Sequence, residues 1–240
     1  MLIDEFSYEM KDKMKRIDID ITDKQVEKFF SYMNLLIEWN QKINLTTIIE
    51  PKEIIIKHFV DCGTILKYLK DGENIIDIGT GAGFPGIPVK ILNENLNVTL
   101  VDSLNKRINF LSEVCNALNL ENVQLIHSRA EDLAKNNDYR EKFDKSVSRA
   151  VANLSTLSEY DLPFIKKGGK MIAMKGFEID EELNNAEKAI NILGGKIKEI
   201  NKFTLIDTDN KRSIVVIDKV KPTPKQFPRK AGKPLKEPIK

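Results

Sequence analysis

From Asn74 onward the chain alternates short apolar runs with stretches of helical composition, and few folds accommodate that alternation. The runs lie at Ile75–Ile78, Val98–Val101, Val123–Ile126, Ser146–Val147 and Met171–Met174. Helical composition follows each, over roughly 84–95, 105–119, 131–141, 152–166 and 179–193. A strand that is apolar on both faces and is followed by a crossover helix belongs in a parallel sheet covered on both sides. Two further runs, Ile197–Ile206 and Arg212–Val220, are separated only by the turn-rich Asp207–Lys211. With no helix between them they pair as a hairpin. The expected fold is α/β: a mostly parallel, Rossmann-like sheet of seven strands ending in an antiparallel hairpin.

Two segments flank this repeat. Upstream, Thr22-Asp23-Lys24-Gln25 reads as a capping box. Val26, Phe29, Phe30, Met33 and Ile37 then follow at helical spacing. A second helical stretch covers Glu53 to Leu69. Residues 1–70 are therefore expected to be an N-terminal helical extension packed on a main domain of residues 71–220. Downstream, residues 221–240 contain five prolines. Proline fixes φ and donates no backbone hydrogen bond, so an extended arm is expected there. From residue 219 to the end, eight Lys/Arg face the single acid Glu237, a net +7 on a chain of net +2. Such a basic arm suits a polyanionic partner, although it also serves as a solubilising terminus.

Composition excludes some classes. No apolar run approaches the roughly 20 residues that span a bilayer. The charged N-terminus lacks a secretory core. Cys62 and Cys115 have neither metal-ligand nor disulfide spacing, so no metal is expected and a cytoplasmic location is the simplest reading.

The sharpest local signal is the segment from Asn74 to Gly86, NIIDIGTGAGFPG. A strand ends at Gly79, and a loop carrying Gly81 and Gly83 leads into a helix. Glycine permits positive φ and close backbone approach to a ligand, at the strand end where open α/β sheets bind ligands. Gly81, Gly83 and Gly86 also satisfy the dinucleotide pattern G-x-G-x-x-G, so an NAD-dependent oxidoreductase has to be weighed. Asp77 in place of an apolar residue argues against it. So do Pro85 and Pro88, which crowd the helix start where a pyrophosphate needs free N–H groups. Asp102, ending the second strand, can accept hydrogen bonds from both hydroxyls of a ribose, a position that also suits a helix cap. After the third strand, Ser128-Arg129-Ala130-Glu131-Asp132 lies where such folds surround adenine.

The match becomes specific when the motifs are taken together. Asp77–Pro88, the segment Asp102–Leu111, Ser148-Arg-Ala-Val-Ala152, Met174-Lys-Gly176 and Phe227–Pro234 occur in one chain. Trp39-Asn40, Asn44–Thr46 and Lys57–Asp61 accompany them. The set closely resembles the bacterial 16S rRNA guanine-N7 methyltransferases, the glucose-inhibited division protein B family. Phe227 and Cys62 stand where many relatives carry Tyr and Ser. The resemblance implies a class I fold dependent on S-adenosyl-L-methionine (AdoMet). It also implies cofactor contacts at Gly79, Phe84, Ala130, Glu131 and Arg149, beside Asp102. The implied target is a guanine in the 530 loop of small-subunit rRNA, free or within a 30S particle. A monomer without an obligate protein partner is the expected state.

Guanine N7 carries a lone pair and no proton, so its methylation needs positioning rather than a general base. The sequence fits by omission. It has no Pro-Cys nucleophile, and Asp161-Leu-Pro-Phe164 lies too far past the fourth strand to serve as an amino-methylation loop. Arg149 and Lys175, at the ends of the fourth and fifth strands, are the candidate catalytic residues, holding the guanine or adjoining phosphates. Arg129, Lys175, Arg229, Lys230 and Lys233 are the candidate RNA contacts, and Phe84 and Phe177 candidate stacking surfaces. A non-catalytic RNA-binding assembly factor on a vestigial cofactor fold is the remaining alternative.

Overall fold

The computed structural model describes residues 1–240. Its sheet has seven strands: β1 Asn74–Ile78, β2 Asn97–Asp102, β3 Val123–His127, β4 Phe143–Arg149, β5 Ile165–Gly176, β6 Gly195–Thr204 and β7 Lys211–Lys219. Their spatial order is β3-β2-β1-β4-β5-β7-β6. β1 to β5 run parallel, and β7 lies antiparallel between β5 and β6. The strand order reverses between β1 and β4, which pair directly. A crevice opens at the carboxyl ends of strands at such a switch point. Gly79 and Arg149 therefore meet there.

The helices are α1 Ile3–Lys15, α2 Asp23–Asn40, α3 Pro51–Ile54, α4 Asp61–Gly63, α5 Gly86–Leu92, α6 Asn105–Ala117, α7 Ala130–Leu133, α8 Leu154–Asp161, α9 Asp180–Ile192 and α10 Lys233–Lys236. A six-residue π-helix, Ile55–Val60, joins α3 to α4. The capping box forms as read: the Thr22 hydroxyl accepts from Gln25 N–H, and the Gln25 side chain accepts from Thr22 N–H. Phe6, Met10 and Met14, at i, i+4 and i+8, bury one face of α1. Together with Phe29 and Phe59 they join one continuous core with Leu100, Val147 and Ile172 of the sheet. The N-terminal helices thus share the main core.

Two expectations need correction. The helix expected over 131–141 is only α7, followed by turns. Asn136 Oδ1 accepts the Asp138 N–H at 2.9 Å, a local bond that competes with helix continuation. The C-terminal arm has little regular structure but is not extended into solvent. Phe227 is buried in the core beneath α8 and α9. The Arg140 guanidinium donates to the carbonyls of Thr223 (2.8 Å), Pro224 (3.2 Å) and Phe227 (2.8 Å). Arg229 forms a bidentate pair with Glu159, whose side chain is 1% exposed. The Thr156 hydroxyl donates to the Pro234 carbonyl and that of Ser155 to Ile239. Proline carbonyls remain acceptors although the N–H is lost, so the proline-rich tail docks through its oxygens.

Candidate active site

The loop after β1 needs its glycines. Gly79, Gly81 and Gly83 have φ of +69°, +62° and +97°. At Gly83 a Cβ would lie 2.7 Å from Ile87 Cγ1 and 2.9 Å from Leu111 Cδ2. The hydroxyl of buried Tyr32 donates to the Ala82 carbonyl, so α2 fixes the loop from behind. Asp77 explains why this is not a pyrophosphate site. Its Oδ2 accepts from the Thr80 hydroxyl and from Gly86 N–H, both at 2.8 Å. The first N–H of α5 is thereby filled by the chain's own carboxylate, where a dinucleotide phosphate would sit. Complete burial raises the Asp77 carboxyl to about 7, against the opposing pull of those two hydrogen bonds.

Asp102 is 2% exposed, and its carboxylate ties the loop to β2. Oδ2 accepts from Gly81 N–H at 2.9 Å and from Arg107 at 3.2 Å, while Oδ1 accepts from Leu104 N–H at 2.9 Å. A ribose would share these oxygens. Ala130 is buried at the start of α7. The Glu131 carboxylate accepts the Gly232 N–H at 2.8 Å, so the tail holds the loop expected around adenine. What Glu131 offers a ligand is then its backbone. Arg129 is exposed.

Arg149 emerges from β4 into a dense cluster. Its Nη1 donates to the Lys57 carbonyl at 3.0 Å and to Asp61 Oδ2 at 3.2 Å, and its Nη2 to His58 Nδ1 at 3.0 Å. The guanidinium lies 4.7 Å from the Phe84 ring centre. The His58 ring stacks on Phe84 at 4.4 Å. Because arginine only donates, His58 Nδ1 is the acceptor and the proton sits on Nε2, which faces the Thr46 hydroxyl at 2.8 Å. Burial, reinforced by the Arg149 charge, lowers the His58 pKa to about 3. The imidazole is thus neutral at physiological pH. The π-helix delivers both contacts, and such bulges often mark functional sites.

A cavity of about 320 Å³ opens beside this cluster, lined by Lys57, His58, Asp61, Arg149, Lys175 and Arg212. That size falls within the range of small-ligand sites. Lys175 donates to the Ala152 carbonyl at 2.7 Å and pairs with Glu182 at 2.5 Å. A larger cavity of about 530 Å³ between Ile17, Gly63 and Asn201 touches none of the glycine-loop residues. The smaller one is the better site for chemistry, because His58 and Arg149 of its lining stack on Phe84 of the glycine loop.

Gly79, Asp102 and Arg149 lie at the carboxyl ends of β1, β2 and β4, Ala130 opens α7 after β3, Phe84 packs against Arg149, and Arg149 and Lys175 line the cavity. Arg229, Lys230 and Lys233 lie on the tail, and the Arg229 guanidinium is committed to Glu159. Asp161 is fully buried at the end of α8, with its carboxyl pushed well up by desolvation, and is no part of the cavity. Asp61 and Arg212 escaped sequence reasoning. Asp61 meets Arg149 across 88 residues of chain and Arg212 across 151, separations that no local pattern reports.

Comparisons with known proteins agree with this geometry. The family described as rRNA small subunit methyltransferase G (GidB) matches residues 25–215. The "Ribosomal RNA small subunit methyltransferase G" of Clostridium botulinum (strain Loch Maree / Type A3) is 52% identical over 98% of this chain and 100% of its own length. That of Desulforamulus reducens is 54% identical over 96% and 97%. Among solved structures, TrmN from Thermus thermophilus superposes with a TM-score of 0.53 at 15% identity, covering 67% of this chain and 48% of that one. M. jannaschii TYW2 in complex with AdoMet gives 0.53 at 14% identity, over 65% and 72%. These structural likenesses concern the fold alone, whereas the sequence match covers cleft, cavity and tail together. On that match the chain belongs to the rRNA small subunit methyltransferase G family.

Proposed function

We propose that the chain transfers a methyl group from AdoMet to N7 of a guanine in the 530 loop of 16S rRNA. It acts as a cytoplasmic monomer on rRNA within the small-subunit particle. No helix is long and apolar enough to cross a membrane. The observation that carries the reading is the stack of His58 and Arg149 on Phe84, which joins the glycine loop directly to a cation-lined cavity.

The crevice fits AdoMet better than a dinucleotide. Asp77 fills the start of α5, which suits a ligand without phosphates. Gly79 is open only as glycine, since a Cβ would sit 3.0 Å from Val151 Cγ1. Gly79 and Phe84 would hold the methionine end, Asp102 the ribose, and the Ala130–Glu131 backbone the adenine. When bound, AdoMet supplies an electrophilic methyl group. Guanine N7 would take that methyl with its lone pair as the S–CH3 bond breaks and the neutral thioether leaves; no proton is released, so no base is required. Neutral His58, locked between Arg149 and Thr46, shapes the wall and takes no proton. Arg149 positions that wall, and Lys175 with Lys57 supplies positive charge for RNA phosphates. Catalysis then rests on orientation in a water-poor site.

The test is incubation with methyl-labelled AdoMet and small subunits from a strain lacking the gene, followed by nucleoside analysis. Label in 7-methylguanosine is the expected result. Label in another nucleoside overturns the atom assignment, and none at all overturns the enzymatic reading. Arg149→Ala should strongly reduce methylation with the fold intact. Near-normal turnover would remove Arg149 from the mechanism.

A further inference from the structure

Two arginines face the cavity, and they are not equally free. Arg149 spends its Nη groups on Lys57, Asp61 and His58 and one face on Phe84. Arg212 sits opposite Gly176 in the β5–β7 ladder, on the cavity rim. Its Nε donates to Asp61 Oδ2 at 3.4 Å and its Nη1 to the Lys211 carbonyl at 3.2 Å. The remaining nitrogen, Nη2, has no protein partner. Asp61 is 2% exposed, and its Oδ2 is shared by both guanidinium groups. Its Oδ1 is buried without a partner. An orphaned buried carboxylate oxygen is costly. Its presence here is explained if the carboxylate's work is to fix two cations at a set separation.

We propose that Arg212 reads O6 of the target guanine, with Asp61 as its positioning residue; this rests on the guanine-N7 reading above. The Hoogsteen edge of guanine offers two acceptors, N7 and O6, and an unconstrained arginine takes both. Here N7 is the nucleophile and must stay open, so a fork bound to it would block the reaction. A guanidinium held through Nε and Nη1 has Nη2 as its one nitrogen without a protein partner, and Nη2 directed at O6 leaves N7 open. Adenine places an amino donor where guanine has O6, so the same nitrogen rejects it. Methylation leaves a cation beside Arg212, which favours release of the product.

The test compares the full-length protein with Arg212→Ala and Arg212→Lys on small subunits reconstituted with guanine or 2-aminopurine at the target position. 2-Aminopurine keeps N7 and lacks O6. With guanine, kcat/KM of Arg212→Ala should fall about ten- to a hundredfold, mostly in KM for the particle, while the AdoMet Kd stays unchanged. The wild-type protein should lose a similar factor on 2-aminopurine, and Arg212→Ala should lose little more. Asp61→Asn should lower the 2-aminopurine penalty as Arg212→Ala does, with a further loss of rate because it also loosens Arg149. Normal kcat/KM in Arg212→Ala, or an undiminished 2-aminopurine penalty in that variant, would overturn the proposal. Loss of AdoMet binding or of thermal stability in Arg212→Lys would overturn it too, by making Arg212 structural. If the wild-type protein forms no 7-methylguanosine on guanine particles, the underlying reading fails instead, and the two failures are distinct.

Discussion

Residues 1–70 and residues 221–240 both lie outside the α/β repeat, and both brace the cofactor crevice, but different physics holds them. The N-terminal helices bury Phe6, Met10, Phe29 and Phe59 in the shared core, each worth about 1.5–3 kcal/mol on full burial. They reach the glycine loop through the Tyr32 hydroxyl and through the rings of Tyr32, His58 and Phe59 packed on Phe84. The tail contributes buried Phe227 and otherwise depends on Arg140, Glu159 and Glu131, which grip its backbone and Arg229. Apolar attachment is tolerant of orientation. Charged attachment in a buried place is specific, and it is costly when one partner is lost.

Removing the tail should have the largest effect. Deletion of 221–240 leaves Glu159 buried without Arg229 and Glu131 without Gly232, so melting temperature and AdoMet affinity should both fall, alongside RNA binding. Unchanged AdoMet affinity by calorimetry, with only RNA binding lost, would restore the tail to a mere basic arm. Next, Phe29→Ala should cost about 3–5 kcal/mol by denaturant unfolding, as for other large core truncations. Arg229→Ala should fall at the low end of about 3–5 kcal/mol, since Arg229 is itself partly exposed. Added salt should leave the Phe29→Ala deficit little changed and reduce the Arg229→Ala deficit; equal responses would erase the distinction between the two regions. Tyr32→Phe removes only one hydrogen bond, about 1 kcal/mol, and should appear as weaker AdoMet binding with little change in unfolding.

The last effect appears only on acidification. His58 has its pKa lowered from 6.5 to about 3 by burial and by Arg149. Below about 6.5 the unfolded chain takes up a proton that the folded chain refuses, so His58 makes stability fall as pH drops toward 3. His58→Gln should flatten that part of the stability curve relative to wild type. An unchanged slope would mean that the imidazole is not buried neutral.

The same contrast explains what the sequence disclosed. Strand–helix alternation and the Thr22 capping box act over a few residues, and they placed the sheet, the hairpin and α2 correctly. The glycine loop was legible because positive φ and close packing leave few residue choices. The i, i+4, i+8 face of Phe6, Met10 and Met14 was equally local, though hidden among charges. The tail was misread because its docking uses carbonyl oxygens, which every residue carries and no side-chain pattern betrays. The Asp61–Arg149–Arg212 cluster was invisible for a related reason. Arg149 was named from the resemblance, but its meeting with Asp61 and Arg212 exists only after β4, β7 and the π-helix are assembled, and Arg212 alone resembles a surface charge.

Both braces lead to one claim: this chain catalyses by holding groups in place, with no residue moving a proton. The most direct measurement is the single-turnover rate of methyl transfer to small subunits in light and heavy water between about pH 7.5 and 9, above the Asp77 value of about 7. A rate that is flat across this range, with no solvent isotope effect, is the expected result. A rate that rises or falls with a titrating group, and slows in heavy water, would contradict catalysis by positioning alone.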